Sequence, residues 1–327
     1  MVLAVMALLV AVGCGDGGDG GGSAGGSGGT DDAATTQYRI KVGTLRQPHL
    51  FAPAFYEKFL PANIKVETVL FANSTEIKNA VVTGSIDFMV TGITAAMEGA
   101  AQGEPVRILA SAADGASAIV ARTDRNIRNV ADLRGKKIGY VAGSAQDILL
   151  RLTLRDAGMD ATKDVELVKV AFSDMANALE RGDIDAFSGA ETGPSDALVR
   201  GIATLVVHPY ETKMKRINII FGTSQAVIDR DPKLVETMVG VHAKATDYMK
   251  ANPKEWADGV VKAYNFPPAS LDLALKNISL RWQIDEAYIQ QAQVLGEQLE
   301  SLKQIRQQPN YATFFNTSFV KPLMKGA

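Results

Sequence analysis

The 327-residue sequence has only one cysteine, Cys14, and three histidines. A single sulfur supports neither an intrachain disulfide framework nor a cysteine-built metal site. His49, His208 and His242 lack metal-ligand spacing, and no HExxH, GxxxxGK[ST] or GxSxG motif is present. We therefore predict no metal site, no cofactor and no catalytic residues of these kinds.

Neither sign of charge is in excess, since 34 Lys and Arg residues face 36 Asp and Glu residues. A general nucleic-acid binder needs a basic stripe that displaces counterions from phosphates, so we expect no nucleic-acid partner. No apolar run reaches the roughly 20 residues that span a bilayer. The composition as a whole indicates a globular protein.

The amino-terminal region differs in composition from the rest of the chain. Residues 15–34 hold 10 of the 30 glycines and four aspartates but no basic residue. Subtracting those aspartates leaves 32 acidic residues against 34 basic ones, so the remainder of the chain is slightly basic. Because such a segment cannot bury apolar surface, we predict a flexible linker over residues 14–36.

A short apolar segment precedes this linker. Residues 1–12 are wholly apolar, and their number suits the apolar region of a secretory signal. Ala11-Val12-Gly13-Cys14 resembles the lipobox of bacterial lipoproteins. The resemblance implies a signal peptide over residues 1–13, lipidation of Cys14, and a protein anchored to the bacterial membrane outside the cytoplasm. The alternative is a cysteine buried as a small hydrophobic side chain.

Beyond residue 36, strand-like and helix-like segments alternate. The first half predicts strands at 38–42, 64–70, 86–90 and 106–110, with helices near 51–60 and 94–103 and a further helix that begins with a capping box at 73–76. The order then starts again, with strands at 137–141, 165–170 and 184–187 and helices at 144–157 and 173–181. Alternation of this kind predicts an α/β fold with a largely parallel sheet.

After a predicted strand at 217–222, the carboxyl-terminal third is mostly helical, and no further strand is predicted there. The simplest topology is a first lobe, residues 37–121 and 217–327, interrupted by a second lobe, residues 122–216. Two crossings between the lobes, at residues 118–122 and 216–222, would form a hinge and leave a cleft. Ligands of such sheets bind beyond the carboxyl ends of the strands.

Several blocks in this order resemble the NMT1/SsuA-like solute-binding proteins of nitrate-, sulfonate- and taurine-type ABC importers. The blocks are GSIDFMVTGITAAMEGAAQG, NVADLRGKKIGYVAGSAQDILLRLTLRDAGM, ALERGDIDAFSGAET and DRDPKLVETMVGVHAKATDYMKANPKEWADGVVKAY. The resemblance implies a two-lobed periplasmic-binding-protein-like fold of type II. It further implies a monomer that closes over a small molecule and delivers it to a permease and its ATPase, without enzymatic chemistry.

The loop after the first strand, Leu45 to His49, combines several hydrogen-bond donors. Arg46 could clamp a carboxylate or sulfonate, and Gln47 and His49 could donate or accept hydrogen bonds. The placement rule for α/β sheets favours this loop as a wall of the cleft. The alternative is a solvated arginine and a locally satisfied histidine.

Two strand-to-helix turns are further candidates for ligand contact. Thr91-Gly92-Ile93 follows a buried strand, and its glycine would let a ligand approach the backbone. Gly143-Ser144-Ala145 opens a helix, where free backbone N–H groups favour an anion. The alternative for Ser144 is that it caps its own helix together with Asp147.

Glu191 lies in a segment, SGAET, where many members of the resembled family carry an aromatic-acidic-proline sequence. A carboxylate in the cleft would suit an amine or a heterocyclic N–H and disfavour a bare anion. Arg46 and the Ser144 turn favour an anion instead. An aliphatic sulfonate is thus the first expected ligand, and a pyrimidine-like or other aromatic heterocycle is the second.

Two other functions share the expected fold. A thiamin-pyrimidine-synthase-like enzyme would bring an active-site histidine and a cysteine-rich motif, but the chain beyond Cys14 has no cysteine. A ligand-sensing partner of a receptor kinase would use the same cleft without transport. The importer remains the prediction.

The lipid anchor can be tested by Cys14→Ser in a bacterium that processes lipoproteins. Loss of the thiol removes the attachment point, so the protein should move from the membrane pellet to the soluble fraction. Ser27→Ala, a change within the same linker, serves as the control and should stay in the pellet. Persistence of the Cys14→Ser protein in the pellet would contradict the anchor.

Overall fold

The computed structural model describes residues 36–325 of the chain. The predicted signal peptide, Cys14 and the linker up to residue 35 lie outside the described residues. Helices and strands alternate along most of the described chain, which confirms the predicted α/β class. Within these residues, no helix is both long enough and apolar enough to cross a membrane.

The strands are numbered in chain order. They are β1 Tyr38–Leu45, β2 Ile64–Phe71, β3 Phe88–Gly92, β4 Val106–Gly115, β5 Ser117–Arg122, β6 Lys137–Tyr140, β7 Glu166–Lys169, β8 Ala186–Ala190, β9 Ala203–Val207, β10 Ile217–Ser224 and β11 Ile278–Leu280.

The α-helices are numbered in the same way. They are α1 Ser74–Val82, α2 Ile93–Ala101, α3 Ala145–Asp156, α4 Met175–Arg181, α5 Gly193–Val199, α6 Gln225–Arg230, α7 Pro232–Ala251, α8 Pro253–Tyr264, α9 Pro268–Leu275, α10 Glu286–Ser301, α11 Tyr311–Phe314 and α12 Lys321–Met324. The segment predicted as a helix at 51–60 is instead a 3-10 turn, Ala52–Lys58, with Pro53 near its start.

The strands form two mixed sheets. The first has the order β11-β4-β10-β3-β1-β2, and the second has the order β7-β6-β8-β5-β9. β1 is parallel to β2 and β3, and β6 is parallel to β7 and β8. β10, β11 and β5 are antiparallel to their neighbours, so the sheets are less parallel than predicted. The sequence analysis missed β11 because this strand has only three residues and lies between two helices.

The chain passes from the first sheet to the second between Gly115 and Ser117 and returns at β10. The segment 118–122, expected as a crossing, pairs with β8 and β9 inside the second sheet. Side chains of β5 alternate between two clusters, since Ile119 and Ala121 pack on one face and Ala118 and Val120 on the other. The lobe boundaries at residues 121 and 216 stay a prediction.

A stack of rings lies at the centre of the larger core. The ring of Phe221 lies parallel to those of Phe88 and His242, with centroids 5.5 Å and 4.6 Å away. His242 Nδ1 accepts a hydrogen bond from the Tyr56 hydroxyl at 2.8 Å, and Nε2 donates to the Ser111 carbonyl at 2.9 Å. The imidazole is therefore fully bonded in its neutral form.

Burial lowers the pKa of His242 to about 4, against the opposing effect of its bond to Ser111. An unfolded chain protonates this histidine near pH 6.5, so the contribution of His242 to stability should fall as the pH drops from about 6.5 to about 4, by about 3 kcal/mol at the low end. His242→Gln should be less stable than the wild type at pH 7 but should lose less stability on acidification. Urea unfolding at pH 7 and pH 4.5 measures both effects.

The control for this comparison is His208→Gln, because His208 is exposed. Its acid-dependent loss of stability should match that of the wild type. An equal loss in His242→Gln and the wild type would contradict the assignment.

Candidate ligand-binding site

A cavity of about 550 Å³ opens between the two sheets. Its walls come from segments that follow strands: residues 45–47 after β1, 71–72 at the end of β2, 171–176 after β7 and 190–196 after β8. Phe266 and Pro267, between α8 and α9, complete the wall. The cavity therefore lies where ligands of α/β sheets bind.

Three phenylalanines give the cavity an apolar lining. Phe71 belongs to the first sheet, Phe172 to a turn after β7 of the second, and Phe266 to the α8–α9 connection. All three are partly exposed toward solvent, as expected for side chains that face an open cavity. The sequence analysis missed them because a lone phenylalanine after a strand has no pattern that separates it from a core residue.

Arg46 lines the cavity as predicted, but its guanidinium already has partners. Nη2 donates a hydrogen bond to the backbone carbonyl of Tyr264, and the guanidinium carbon lies 5.6 Å from the centre of the Phe266 ring. The residue therefore joins the β1 loop to the α8–α9 connection.

Gln47 also lines the cavity and is 6% exposed. No hydrogen bond joins its side-chain amide to another residue of 36–325, whereas its backbone N–H donates to the Leu45 carbonyl at 2.8 Å. The amide is not among the buried polar atoms that lack a partner, so it reaches solvent and is open to a ligand with donors and acceptors.

Glu191 is 2% exposed and forms part of the same cavity wall. Its Oε1 accepts a hydrogen bond from Asn277 Nδ2 at 3.0 Å, and its Oε2 accepts one from the Ser195 backbone N–H at 3.3 Å. No lysine or arginine of the described chain pairs with this carboxylate. A buried carboxyl group with two neutral donors and no basic partner among the described residues keeps unused acceptor capacity.

His49 does not line the cavity. It lies in a 3-10 turn, Pro48–Leu50, is 2% exposed, and its Nδ1 has no partner in the described chain. Burial lowers its pKa to about 3, so the ring is neutral. The turn is held by Trp256, whose indole N–H donates to the Pro48 carbonyl at 3.0 Å.

The predicted turn at Thr91, Gly92 and Ile93 is buried where β3 meets α2, away from the cavity lining. Gly92 N–H donates to the Ser74 hydroxyl at 3.2 Å, and the Thr91 hydroxyl donates to the Ser74 carbonyl at 3.4 Å. These contacts fix the turn against the start of α1. Ligand contact at these three positions stays a prediction.

Gly143, Ser144 and Ala145 also lie outside the cavity lining. The Ser144 hydroxyl accepts a hydrogen bond from Asp147 N–H at 3.1 Å and donates to the Val141 carbonyl at 2.7 Å. Asp147 Oδ2 accepts from Gly143 N–H at 3.1 Å. Ser144 thus caps α3, which is the alternative that the sequence left open, and the ligand role of this turn stays a prediction.

The two turns are nevertheless close to each other. The Thr94 hydroxyl donates to the Gly143 carbonyl at 2.9 Å, which links α2 to the start of α3. Arg46, Gln47 and Glu191 are the predicted residues that share the cavity, and the two turns form a second contact between the parts of the chain that carry the two sheets.

Glu98 was missed by the sequence analysis and lies at this second contact. A β-carbon built on Gly143 would come within 3.4 Å of Glu98 Oε2, and Oε1 is buried without a partner in the described chain. Burial and the nearby Asp147 raise the pKa of Glu98 to about 7, and Lys78 opposes this. The signal in the sequence is one glutamate in an otherwise apolar helix, ITAAMEGAA.

Residues 36–325 contain no group of three or more His, Cys, Asp or Glu side chains placed to hold a metal ion.

The two mixed sheets, the crossing at Gly115–Ser117 and the cavity beyond the strand ends define a periplasmic-binding-protein-like fold. Residues 55–256 match the family described as NMT1/THI5 like, and the chain belongs to that family. The family resemblance found in the sequence is thereby confirmed.

Among curated proteins, the chain is similar to one named as a binding protein of Brucella abortus strain 2308. The two are 28% identical over 216 residues, which cover 65% of this chain and 66% of the relative. The chain therefore matches just under two thirds of that relative's length.

Solved structures share the fold. The alkanesulfonate-binding protein SsuA from Xanthomonas axonopodis pv. citri bound to MOPS has a TM-score of 0.77 at 18% identity, covering 87% of this chain and 100% of that one. The ligand-binding component of an ABC-type import system from Staphylococcus aureus has a TM-score of 0.76 at 17% identity, covering 87% of this chain and 98% of that one. The desulfurization enzyme DSZB has a TM-score of 0.66 at 16% identity, covering 89% of this chain and 99% of that one. At these identities the similarity shows the fold alone.

The Glu98 carboxyl generates a pH prediction. Its pKa in the folded protein lies above the ordinary value of 4.5, so its favourable contribution is complete at low pH and is lost as the pH rises through about 7. Glu98→Gln should therefore raise the free energy of unfolding at pH 8 by on the order of 1–3 kcal/mol and change it little at pH 4.5. Urea denaturation at the two pH values measures this.

Glu57→Gln is the matched control, because Glu57 is exposed. Relative to the wild type, Glu57→Gln should change the free energy of unfolding by the same small amount at both pH values. A Glu98→Gln protein that is destabilised at pH 8 would overturn the account of this carboxyl.

Proposed function

We propose that this chain is the extracytoplasmic solute-binding protein of an ABC importer and that it captures a small polar organic ligand in the 550 Å³ cavity. Membership of the NMT1/THI5-like family and the fold shared with an import-system component support this role. The volume is within the range that suits a small organic molecule. The ligand would be passed to a permease driven by an ATPase.

The observation that supports this ligand class is Glu191, a buried carboxyl group without a basic partner among the described residues, in a wall shared with three phenylalanines. An N–H group of a ligand would use the remaining acceptor capacity of the carboxylate. The rings of Phe71, Phe172 and Phe266 suit a flat, apolar body. A neutral or protonated aromatic heterocycle fits these features better than the aliphatic sulfonate that the sequence ranked first.

The charges around the cavity argue in the same direction. Arg46 is engaged with the Tyr264 carbonyl, while Glu191 and Asp196 add two carboxylates to the lining. Asp196 is partly neutralised by Arg200 at 3.2 Å. The start of α3, where a sulfonate was expected, carries Asp147 as its own anion. A sulfonate would therefore meet the Glu191 carboxyl group as well as the Arg46 guanidinium, and the former reduces its net attraction to the cavity.

We assign Arg46, Gln47 and Glu191 as ligand contacts within this proposal. Closure would bring the two lobes together over the ligand; the first lobe is residues 37–121 with 217–327, and the second is residues 122–216. Contacts that only the closed state makes would stabilise binding. A lipid at Cys14 would hold the monomer beside its permease.

An enzyme of the same fold is the rival from another class, since DSZB shows that the fold occurs in a catalyst. The chain offers no cysteine beyond Cys14. Both buried histidines, His49 and His242, have pKa values far below neutral and lie outside the cavity lining. These facts support a binding role. A sensor without transport would use the same cavity, and a neighbouring permease gene would distinguish the two.

A thermal-shift screen tests the function directly. Aliphatic sulfonates, nitrate, carboxylates, pyrimidines and aromatic amines are added separately, and a ligand raises the melting temperature by mass action. We expect the nitrogen heterocycles to give the largest shift. A shift with sulfonates alone would restore the sulfonate assignment, and no shift with any class would remove the main support for the transport function.

Substitution of Glu191 then tests the ligand class. Glu191→Gln should weaken the heterocycle that gave the largest shift by about tenfold or more, because a hydrogen bond to a charged group is worth roughly 1.5–3 kcal/mol. Calorimetric titration measures the Kd. Glu255→Gln, an exposed carboxylate paired with Lys58, is the control and should bind normally. Equal affinities in both variants would contradict a ligand contact at Glu191.

A further inference from the structure

The passage between the two sheets is held by hydrogen bonds from three other segments of the chain. Ala116 N–H donates to the Asn277 carbonyl at 2.8 Å, and Ser117 N–H donates to the Tyr210 hydroxyl at 2.9 Å. Glu191 N–H donates to the Ala116 carbonyl at 3.0 Å. Residues distant in sequence therefore meet at the two peptide units where the chain changes sheet.

Asn277 is 8% exposed and uses every polar group of its side chain there. Its Nδ2 donates to the Ser117 carbonyl at 3.1 Å and to Glu191 Oε1 at 3.0 Å. Its Oδ1 accepts from the Tyr210 hydroxyl at 2.6 Å. One amide thus bonds the passage, the segment that returns toward the first sheet, and the carboxylate of the cavity.

Glu191 stands between two cavities. One is the 550 Å³ cavity, and the other, of about 270 Å³, is lined by Asn277, Tyr210, Arg216 and Glu191 itself. The guanidinium carbon of Arg216 lies 4.2 Å from the centre of the Tyr210 ring, and its Nη2 donates to the Asn277 carbonyl at 3.1 Å. Glu191 therefore lines both cavities, and its Oε1 is bonded to Asn277, a residue that lines the smaller one.

We infer that Asn277 is a positioning residue that holds the Glu191 carboxylate and couples its state to the passage between the sheets. This inference rests on the proposed function in one respect, that Glu191 is the group a ligand engages. The physical basis is the shared amide: a change in the hydrogen bond to Glu191 Oε1 changes the same NH₂ group that bonds the Ser117 carbonyl. Ligand capture and lobe movement would thus share one hydrogen-bond donor.

A polarity swap tests the bond between the two side chains without any ligand. Asn277→Asp places a carboxylate against Glu191, whereas Glu191→Gln combined with Asn277→Asp lets an amide N–H of residue 191 donate to residue 277. Hydrogen–deuterium exchange of the full-length chain is followed in peptides covering residues 112–120 and 186–195. A peptide from α7 reports any general loss of structure.

We expect Asn277→Asp to accelerate exchange in the two passage peptides by about tenfold or more at pH 8, a coupling within the usual range for contacting pairs. The effect should shrink at pH 5, after correction for intrinsic exchange, because one of the two facing carboxyls then binds a proton. The double variant should recover much of the protection. A merely structural asparagine would give neither the pH dependence nor the recovery.

Exchange in the double variant as fast as in Asn277→Asp, or an effect independent of pH, would overturn the inference. Should Asn277→Asp fail to fold, Asn277→Ala with and without Glu191→Gln provides the second cycle. The coupling is supported if Glu191→Gln changes the exchange rates by a different factor with Asn277 present than in Asn277→Ala. Equal factors in the two backgrounds contradict it.

Benzamidine, an aromatic amidinium with N–H donors, is the probe for the ligand arm. In the wild type it should change exchange in the 112–120 peptide, and in Asn277→Ala that change should disappear while the 186–195 peptide still responds. No response of either peptide in the wild type would count against the ligand class proposed above. Whatever the response to benzamidine, the comparison of the Asn277 and Glu191 variants without ligand tests the positioning role.

Discussion

The structure depends on one constraint: a single chain has to leave one sheet and enter another at Gly115–Ser117 without losing hydrogen bonds in a buried place. The peptide groups there cannot all belong to a sheet ladder, so their partners come from Tyr210, Asn277 and the backbone of Glu191. Unpaired buried amides would cost as much as lost hydrogen bonds. Satisfying them draws four distant segments together behind the cavity.

Charge is distributed unevenly over the contacts between the two parts of the fold. The cavity wall holds Glu191 and Asp196, and the contact of α2 with α3 holds Glu98 and Asp147. Arg200 pairs with Asp196, Arg151 with Asp147 and Lys78 with Glu104, whereas Arg46 lines the cavity and bonds only to a backbone carbonyl. In the cavity, the Glu191 carboxyl group and the Arg46 guanidinium therefore oppose each other, so a small inorganic anion gains little net attraction from these charges.

Much of the fold follows from local signals in the sequence. Short apolar segments located most strands, with a clear alternation at residues 38–42, and the Asn73 capping pattern marks the start of α1, where Asn73 accepts from Glu76 N–H at 2.9 Å. β11 escaped detection because three residues cannot show a period, and the order of the sheets depends on pairings between distant segments. Ala52–Lys58 was expected as an α-helix because its apolar spacing suits both helix types.

The site was predictable only in part, for a similar reason. Arg46, Gln47 and Glu191 follow strands and could be placed at the cleft by the rule for α/β sheets, whereas His49 follows the same strand and is turned inward by the Pro48–Leu50 turn. Asn277 lies 86 residues from Glu191, and nothing local to either marks their contact. A serine at the start of a helix can cap that helix or bind a ligand, and the sequence around Ser144 is the same in both cases.

The double attachment of Glu191 also bears on how ligand preference can diverge within the family. Its backbone and its side chain both bond to the sheet passage, so replacing it to suit a different ligand would disturb the geometry of lobe movement as well. Gln47 and Phe172 line the same cavity without bonds to the passage. Sequence drift toward new ligands, whether natural or in directed evolution, is therefore freest at those positions, and the carboxylate is the part of the site that is hardest to exchange.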